Sequence, residues 1–299
     1  MYTSQCLKDL RPEKVFFIGI DSDGCVFDSM EPKHKECFCP AFINNYNLQS
    51  VSKYAREVWD FVNLYSQDRG CNRFHAVIKA LDLLRERDDV KKRGARIMET
   101  SALKEWTQRE SKLGNPALKA EIEKISLTAP EKAGELKTAY QWSLDVNEAV
   151  GKIIRGVPPF PYFLESLEAM RQKADVIVVS QTPAEALIRE WAELGIDKHV
   201  RFIAGQEIGT KTEHLEFAAK GKYPVNKILM IGDAPGDLNA AVRAGALFYP
   251  VIPGSEDESW KRFHDEALAN FFSLKYEGSY QDALLAEFKK SLPEKAMWQ

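Results

Sequence analysis

Residues 15–24 read Val15-Phe-Phe-Ile-Gly-Ile-Asp21-Ser-Asp23-Gly24, an apolar run that ends in two carboxylates one residue apart. A short apolar run bounded by turn residues predicts a strand that is buried on both faces. Asp21 and Asp23 then lie at the carboxyl end of that strand, where open α/β sheets bind ligands. Gly24 lets the chain leave the strand so that both carboxylates can turn toward one site. Taken alone, the stretch also fits a strand followed by an ordinary acidic turn, because Asp and Gly are common in turns.

Two later apolar runs end in polar residues of the same kind. Residues 175–180 end at Ser180, and residues 227–233 end at Asp233, with Asp237 four positions further on. Between them, Lys211 falls in the first turn of a helical pattern. Parallel strands placed side by side would bring these end residues into one crevice. A set of acids, a hydroxyl and a cation suits phosphoryl transfer through an aspartyl-phosphate, with a divalent metal such as Mg²⁺ held by oxygen ligands.

Four motifs in this order resemble the haloacid dehalogenase superfamily. They are Asp21-Ser-Asp23-Gly24, Ser180 at a strand end, Lys211, and Gly232-Asp233-Ala-Pro-Gly-Asp237. The ordered set is more specific than any single motif and covers roughly the core half of the chain. The resemblance implies an α/β fold, a Rossmann-like core with a doubly wound parallel sheet. It also implies a mostly helical cap of the superfamily's first type, inserted after the first motif.

A mechanistic role can be assigned to each motif residue as a hypothesis. Asp21 attacks phosphorus and carries the covalent phosphate, and Asp23 acts as general acid and then as general base. Ser180 binds the phosphoryl oxygens, and Lys211 neutralises the charge that builds up. Lys220 and Lys222 also compete for the lysine role, but they lie late in the helix or in the following loop. The Mg²⁺ ligands are expected from the Asp21 carboxylate, the Asp23 backbone carbonyl, Asp233 and waters, and Asp237 is expected either to support the metal site or to orient Lys211.

Asp23 also discriminates between reactions. In the superfamily, dehalogenases usually lack an acid at this position, and the phosphonate-cleaving members use an imine-forming cap lysine instead. Retention of Asp23 therefore favours a phosphate ester, and the leading hypothesis is a phosphatase that acts on a small phosphorylated metabolite. A phosphomutase or phosphotransferase, and a phosphonate or carbon–halogen hydrolase, remain alternatives. A non-catalytic binding protein is a remote alternative, because the motif set is complete.

The middle of the chain has a different periodicity from its ends. No strand pattern occurs between Asp28 and Gly156, and helical spacings recur over residues 51–65, 73–87, 101–110 and 131–149. The segment Gly156-Val-Pro-Pro-Phe-Pro161 is typical of a boundary, and strand–helix alternation then resumes. We therefore predict an α/β core from residues 1–30 and 157–299, and a helical cap domain from residues 31–156.

Candidate substrate-binding residues lie in the cap and beside Ser180. Residues 29–156 carry 22 Lys and Arg against 18 Asp and Glu. This excess of positive charge fits a basic lid that attracts an anionic substrate. It equally fits charges that are scattered over solvated helix faces. Residues 65–73 break two helical patterns, either as a substrate loop or as an ordinary helix–helix turn. In the first case Arg69 and Arg73 would hold an anionic group and Asn72 would bind a hydroxyl. Gln181 and Thr182 complete the predicted binding set.

Composition and charge indicate which partners and which cell compartment to expect. The 299 residues have a formal net charge of −3, which gives no electrostatic case for nucleic acid, and no apolar run approaches the length of a membrane span. Five cysteines, all in the first quarter, do not suit a secreted disulfide framework. Cys37 and Cys39 have no second ligand pair for zinc. We expect a cytoplasmic protein with a small-molecule partner and with no nucleic-acid or membrane partner.

Overall fold

A computed structural model describes residues 3–299 of the chain. The chain divides into two compact units. The core unit comprises Met1–Met30 and Gly156–Leu292, and the insert unit comprises Glu31–Arg155 and Pro293–Gln299. The long insertion after the first motif is therefore a compact unit of its own, and the last residues of the chain belong with it.

The elements follow one another along the chain as a strand, a long helical stretch and a strand–helix alternation. The first part contains α1 (Ser4–Lys8), β1 (Phe16–Ile20), α2 (Met30–Pro32), α3 (Cys39–Asn45), α4 (Ser52–Leu64), α5 (Arg73–Glu86), α6 (Asp88–Lys92), α7 (Ser101–Arg109), α8 (Asn115–Ile125) and α9 (Pro130–Ile153). The second part contains α10 (Phe163–Lys173), β2 (Ala174–Val179), α11 (Ala184–Glu193), β3 (Phe202–Ala204), α12 (Lys211–Ala218), β4 (Ile228–Gly232), α13 (Pro235–Ala244), β5 (Leu247–Pro250), α14 (Glu256–Arg262), α15 (Leu268–Phe272) and α16 (Ser279–Ser291). Single turns of π-helix cover Lys33–Phe38 and Phe263–Ala267.

The five strands form one parallel sheet in the order β3-β2-β1-β4-β5. Strand β1 is central: Ile20 pairs with Val178 of β2 on one side and with Ile231 of β4 on the other. The carboxyl ends of β1, β2 and β4 therefore lie next to one another. This topology confirms the predicted α/β class with a doubly wound parallel sheet.

Strand β1 is buried along its whole length because its side chains enter two apolar layers. Ile18 and Ile20 pack in the cluster on one face of the sheet, and Phe17 packs in the cluster on the other face. Between them, a Cβ at Gly19 would lie 2.8 Å from Leu215 Cδ2 of α12. The missing side chain thus lets α12 approach the strand closely, and this helix begins at Lys211.

The insert unit is held together by aromatic side chains from several helices. Trp59 of α4 lies 5.8 Å from Trp142 of α9 and 4.7 Å from Phe42 of α3, measured between ring centroids. Phe74 and Trp106 meet edge to face at 5.2 Å. Within the described residues of this unit, only helices and irregular segments occur, as the periodicity predicts. None of the helices in the described chain is long and apolar enough to cross a membrane.

The C-terminal tail corrects one predicted boundary. The prediction assigns residues 157–299 to the core, whereas the structure groups Pro293–Gln299 with the insert unit. The reason is an aromatic anchor: Trp298 lies 5.5 Å from the Phe61 ring, and the Arg87 guanidinium lies 4.6 Å from the rings of both Trp298 and Tyr54. Stacking of this kind stabilises a short tail that has no core of its own.

Asp175 ties the amino-terminal segment to β2. Its buried carboxylate accepts hydrogen bonds from the backbone N–H groups of Glu13 and Lys14, at 2.8 and 2.9 Å, and from Tyr223 Oη at 2.5 Å. Arg201 Nη1 lies 2.9 Å from the second oxygen. Burial opposes the charged form of Asp175, but these donors outweigh it and hold its pKa below the ordinary value.

We expect Asp175→Ala to destabilise the fold by about 3 kcal/mol, because it removes the acceptor from four donors. Since the folded pKa of Asp175 is depressed, its contribution is complete above the unfolded value of about 3.9 and is lost as the pH falls through the lower folded value. Urea unfolding between pH 3 and 7 measures both effects. A variant as stable as wild type at pH 7 would show that the cluster contributes nothing net.

Candidate active site

The first motif leaves β1 in a tightly bonded loop. Asp21 N donates to Ile231 O at 2.9 Å, which extends the pairing of β1 with β4 by one residue. Ser22 O then accepts from Val26 N at 2.9 Å, and Gly24 has a φ of 74°, which favours glycine. Trp191 Nε1 donates to Ser22 Oγ at 3.0 Å. These local and long-range contacts together fix the direction in which the Asp21 side chain leaves the sheet.

Three carboxylates and one ammonium group meet at the carboxyl ends of β1 and β4. Single oxygens of Asp21, Asp233 and Asp237 all lie within 4.8 Å of one another, and all three residues are buried. Lys211 Nζ lies 2.9 Å from Asp21 Oδ2 and 2.6 Å from Asp237 Oδ1. Lys211 is the first residue of α12, whose N-terminus is capped by Thr210. The predicted lysine thus lies against the predicted nucleophile.

Burial and repulsion between carboxylates raise the pKa values of Asp21 and Asp237. Burial, and then the charge of Asp237, raise the pKa of Asp21 to about 6 despite the opposing effect of Lys211. Burial also raises the pKa of Asp237, again against Lys211. For Lys211, burial alone would lower the pKa, but the charges of Asp21 and Asp237 outweigh it and hold the pKa above the ordinary value. One ammonium group does not balance this cluster, so a further cation is favoured there.

The donor set fits a hard divalent cation. Asp237 reaches the cluster because residue 232 is glycine: a Cβ there would lie 2.4 Å from Asp237 Cβ. Asp237 Oδ2 in turn accepts from Ala234 N at 3.1 Å, which fixes the carboxylate. All three clustered side chains offer carboxylate oxygens, which Mg²⁺ prefers. Burial, followed by the charge of Asp233, raises the pKa of nearby Cys25 well above its ordinary value, so its thiol is not a ready ligand.

Asp23 is held by two hydroxyl groups. Ser29 Oγ donates to Asp23 Oδ1 at 2.5 Å, and Thr182 Oγ1 donates to Asp23 Oδ2 at 2.8 Å. Sequence reasoning placed Thr182 in the substrate-binding set, whereas the structure places its hydroxyl on Asp23. It overlooked Ser29, for which the only signal is a hydroxyl residue six positions after Asp23. The structure therefore shows that the Asp23 carboxylate, two residues after the predicted nucleophile Asp21, is held at both oxygens.

The remaining residues of the second motif form a turn after β2. Ser180 N donates to Ala204 O at 3.0 Å, and Ser180 Oγ accepts from Thr182 N at 3.1 Å. The hydroxyl proton of Ser180 is not used in that contact. Gln181 Nε2 donates to Gly209 O at 3.0 Å, so this amide braces the loop that precedes α12.

The two competing lysines serve other purposes. Lys220 lies just after the end of α12, is exposed, and pairs with Glu216 at 2.6 Å. Lys222 Nζ donates to the carbonyl oxygens of Leu7, Lys8 and Leu10 at 2.8–2.9 Å, at the end of α1. Lys211 is therefore the one of the three that contacts the carboxylate cluster.

The predicted cap residues have structural contacts within the insert unit. Arg69 is buried and Nη1 donates to Leu64 O at 2.9 Å. Asn72 caps α5 by accepting from Phe74 N at 3.0 Å. Arg73 Nη1 donates to side-chain oxygens of Ser143 and Asn147, and burial lowers the pKa of Arg73 to about 10. The assignment of Arg69, Asn72 and Arg73 to substrate binding stays a prediction.

Comparison with known proteins finds similar folds. No family model matches the sequence, and no curated protein matches it significantly. Among solved structures, a predicted phosphoglycolate phosphatase from Haemophilus somnus is 16% identical, with 80% of this chain and 86% of that chain covered and a TM-score of 0.48. A haloacid dehalogenase-like family hydrolase from Xanthomonas campestris is 10% identical, with 90% and 97% covered and a TM-score of 0.47. A predicted phosphatase from Clostridium acetobutylicum is 13% identical, with 86% and 100% covered and a TM-score of 0.43.

Because these TM-scores are all below 0.5, the similarities carry no argument about activity, which has to be inferred from the site's own residues. By their names, two of these three solved structures are predicted phosphatases and one is a haloacid dehalogenase-like family hydrolase.

Proposed function

We propose that this chain is a Mg²⁺-dependent phosphatase of the haloacid dehalogenase superfamily that hydrolyses a small phosphorylated metabolite. The observation that carries the proposal is the contact of Lys211 with both Asp21 and Asp237, beside the buried carboxylate of Asp233. A nucleophilic carboxylate, a fixed cation and an acidic metal pocket are the parts that phosphoryl transfer through an aspartyl-phosphate needs.

In the first half-reaction, a carboxylate oxygen of Asp21 attacks phosphorus. The bond between this oxygen and phosphorus forms as the bond to the leaving oxygen breaks. Asp23 donates its proton to the leaving oxygen, so the product leaves as a neutral alcohol. Lys211 and the hydroxyl of Ser180 are assigned to the phosphoryl oxygens, where negative charge develops.

In the second half-reaction, water attacks the phosphorus of the aspartyl-phosphate. Asp23, now a carboxylate, takes the proton of that water as the new oxygen–phosphorus bond forms. The bond from phosphorus to Asp21 breaks, inorganic phosphate leaves, and both acids return to their starting states. One general acid and base thus serves both steps without any further proton donor.

The residues of the acidic pocket fit a magnesium ion. Asp21, Asp233 and the backbone carbonyl of Asp23 are proposed to hold it, and Asp237 supports the site through Lys211. The ion would offset the charge of the phosphoryl group and of the clustered carboxylates. The raised pKa values of Asp21 and Asp237 support this assignment, because a cation would relieve the repulsion that contributes to them.

We expect phosphate release from a panel of phosphorylated metabolites and p-nitrophenyl phosphate to require Mg²⁺ and to stop in EDTA. Asp233→Asn should lower release by roughly 10²-fold or more, because a proposed metal ligand is lost. Asp282→Asn changes an exposed aspartate of α16 and is the matched control. If the folded protein releases no phosphate from any substrate in Mg²⁺, the proposal fails, and transfer to a second substrate, phosphonate cleavage and simple binding are the alternatives to test.

A further inference from the structure

We propose that Thr182 is a positioning residue that holds Asp23 in place for proton transfer, and that this contact extends the activity to phosphate esters with poor leaving groups. The inference rests on the proposed function and refines its substrate class. The observation is the 2.8 Å hydrogen bond from Thr182 Oγ1 to Asp23 Oδ2, made between the loops that follow β2 and β1.

The backbone around Thr182 is fixed on both sides. Thr182 N donates to Ser180 Oγ at 3.1 Å, and Thr182 O accepts from Gln206 N at 3.2 Å. The next residue is Pro183, whose ring restricts φ and which precedes the first residue of α11. The hydroxyl of Thr182 therefore starts from an anchored main chain, which is what a positioning contact requires.

The hydroxyl of Thr182 has one proton to donate, and the structure gives that proton to Asp23. The same proton cannot also be donated to a substrate oxygen while this contact lasts. Ser29 Oγ holds the other carboxylate oxygen at 2.5 Å. Rotation of the Asp23 carboxyl group is thus restrained at both oxygens. Each oxygen keeps a second lone pair, which can carry the proton for the leaving group, so the acid meets that group in a defined direction.

How much this restraint contributes to the rate depends on the leaving group of the ester. When the bond from phosphorus to the leaving oxygen breaks, a weakly acidic alcohol has to receive a proton from Asp23 as it departs. A nitrophenolate is stable without that proton. Loss of the positioning contact should therefore slow the hydrolysis of esters of weakly acidic alcohols and leave the hydrolysis of p-nitrophenyl phosphate almost unchanged.

The test compares Thr182→Val with wild type on phenyl phosphate and p-nitrophenyl phosphate, two substrates of similar shape. We expect kcat/KM for phenyl phosphate to fall about 30-fold, which is less than the roughly 10²–10⁴-fold that general acid catalysis supplies because Asp23 itself is still present. The value for p-nitrophenyl phosphate should fall less than about threefold. Thr182→Ser, which keeps the hydroxyl, should restore the phenyl phosphate rate. Thr138→Val on α9 is the control for the substitution itself.

A double-mutant cycle isolates the connection to Asp23. In an Asp23→Asn background, Thr182→Val should have little further effect on phenyl phosphate, because the group it positions is already lost. Equal losses on both substrates, or full additivity in the cycle, would overturn the positioning role. If wild type cleaves neither ester, or if Asp21→Asn keeps wild-type rates on both, the proposed function itself has failed, whatever Thr182→Val does.

Discussion

Asp21→Asn is expected to abolish phosphate release, by roughly 10⁴-fold or more, and to leave the fold intact. An amide oxygen is a poor nucleophile and cannot form the aspartyl-phosphate. The substitution keeps the shape of a side chain that is only 5% exposed, so little repacking is needed. The measurement is phosphate release at saturating substrate in Mg²⁺, together with circular dichroism. A variant that retained most of its activity would exclude Asp21 as the nucleophile.

The same variant is expected to be more stable than wild type in EDTA at neutral pH. Asp21 has a pKa of about 6 in the folded chain and about 3.9 when unfolded, so the folded state binds more protons between these values. Stability therefore falls as the pH rises from about 4 to 6, and the full cost applies above pH 6. Removing the charge of Asp21 should raise the free energy of unfolding by about 1–3 kcal/mol at pH 7.5.

Measuring the stability of Asp21→Asn and of wild type at two pH values tests whether the gain comes from removing the charge of Asp21. At pH 4, where the Asp21 carboxyl is largely protonated in the folded chain, Asp21→Asn and wild type should unfold at nearly the same urea concentration. Asp282→Asn should match wild type at both pH values, because its side chain is exposed. If Asp21→Asn were less stable at pH 7.5, the ion pair with Lys211 would outweigh the cost of burying the charge.

The core of the fold follows from the sequence because burial on both faces leaves a continuous apolar run. Strand β1, predicted over residues 15–20, is observed as Phe16–Ile20. The ends of β2 and β4 likewise bring Ser180 and Asp233 to the edge where Asp21 leaves the sheet. Strand neighbours and polar strand ends therefore carry enough information to place most of the candidate site.

Contacts between distant loops leave no such periodic signal. Thr182 and Asp23 are 159 residues apart, and nothing in either motif indicates that one hydroxyl bonds the other's carboxylate. Helix α8 was not predicted, because Leu118 and Ile122 are its only buried residues and give too little amphipathic pattern. The tail at Pro293–Gln299 packs through buried Ala296 and through Trp298, which lies against Arg87 and Phe61. Such contacts are decided by tertiary packing.

Lys211→Met is expected to be the most destabilising substitution in the candidate site. Without the ammonium group, Asp21, Asp233 and Asp237 lose the cation that contacts two of them. Removing one partner of a buried ion pair costs about 3–5 kcal/mol, and we expect a loss of this size in EDTA. Turnover should fall by roughly 10²–10³-fold, the usual effect of losing one group that stabilises developing charge. Urea unfolding and phosphate release measure the two losses separately.

Magnesium separates the structural role of Lys211 from its chemical role. If the ion binds the carboxylate cluster, adding Mg²⁺ should restore much of the stability of Lys211→Met, by about 2.7 kcal/mol at a hundredfold excess over its Kd. It should not restore turnover, because the ion does not replace an ammonium group aimed at the phosphoryl oxygens. Lys220→Met, which breaks an exposed pair with Glu216, should change neither property by more than about 0.5 kcal/mol. Recovery of both stability and turnover in Mg²⁺ would show that Lys211 only balances the charge of the cluster.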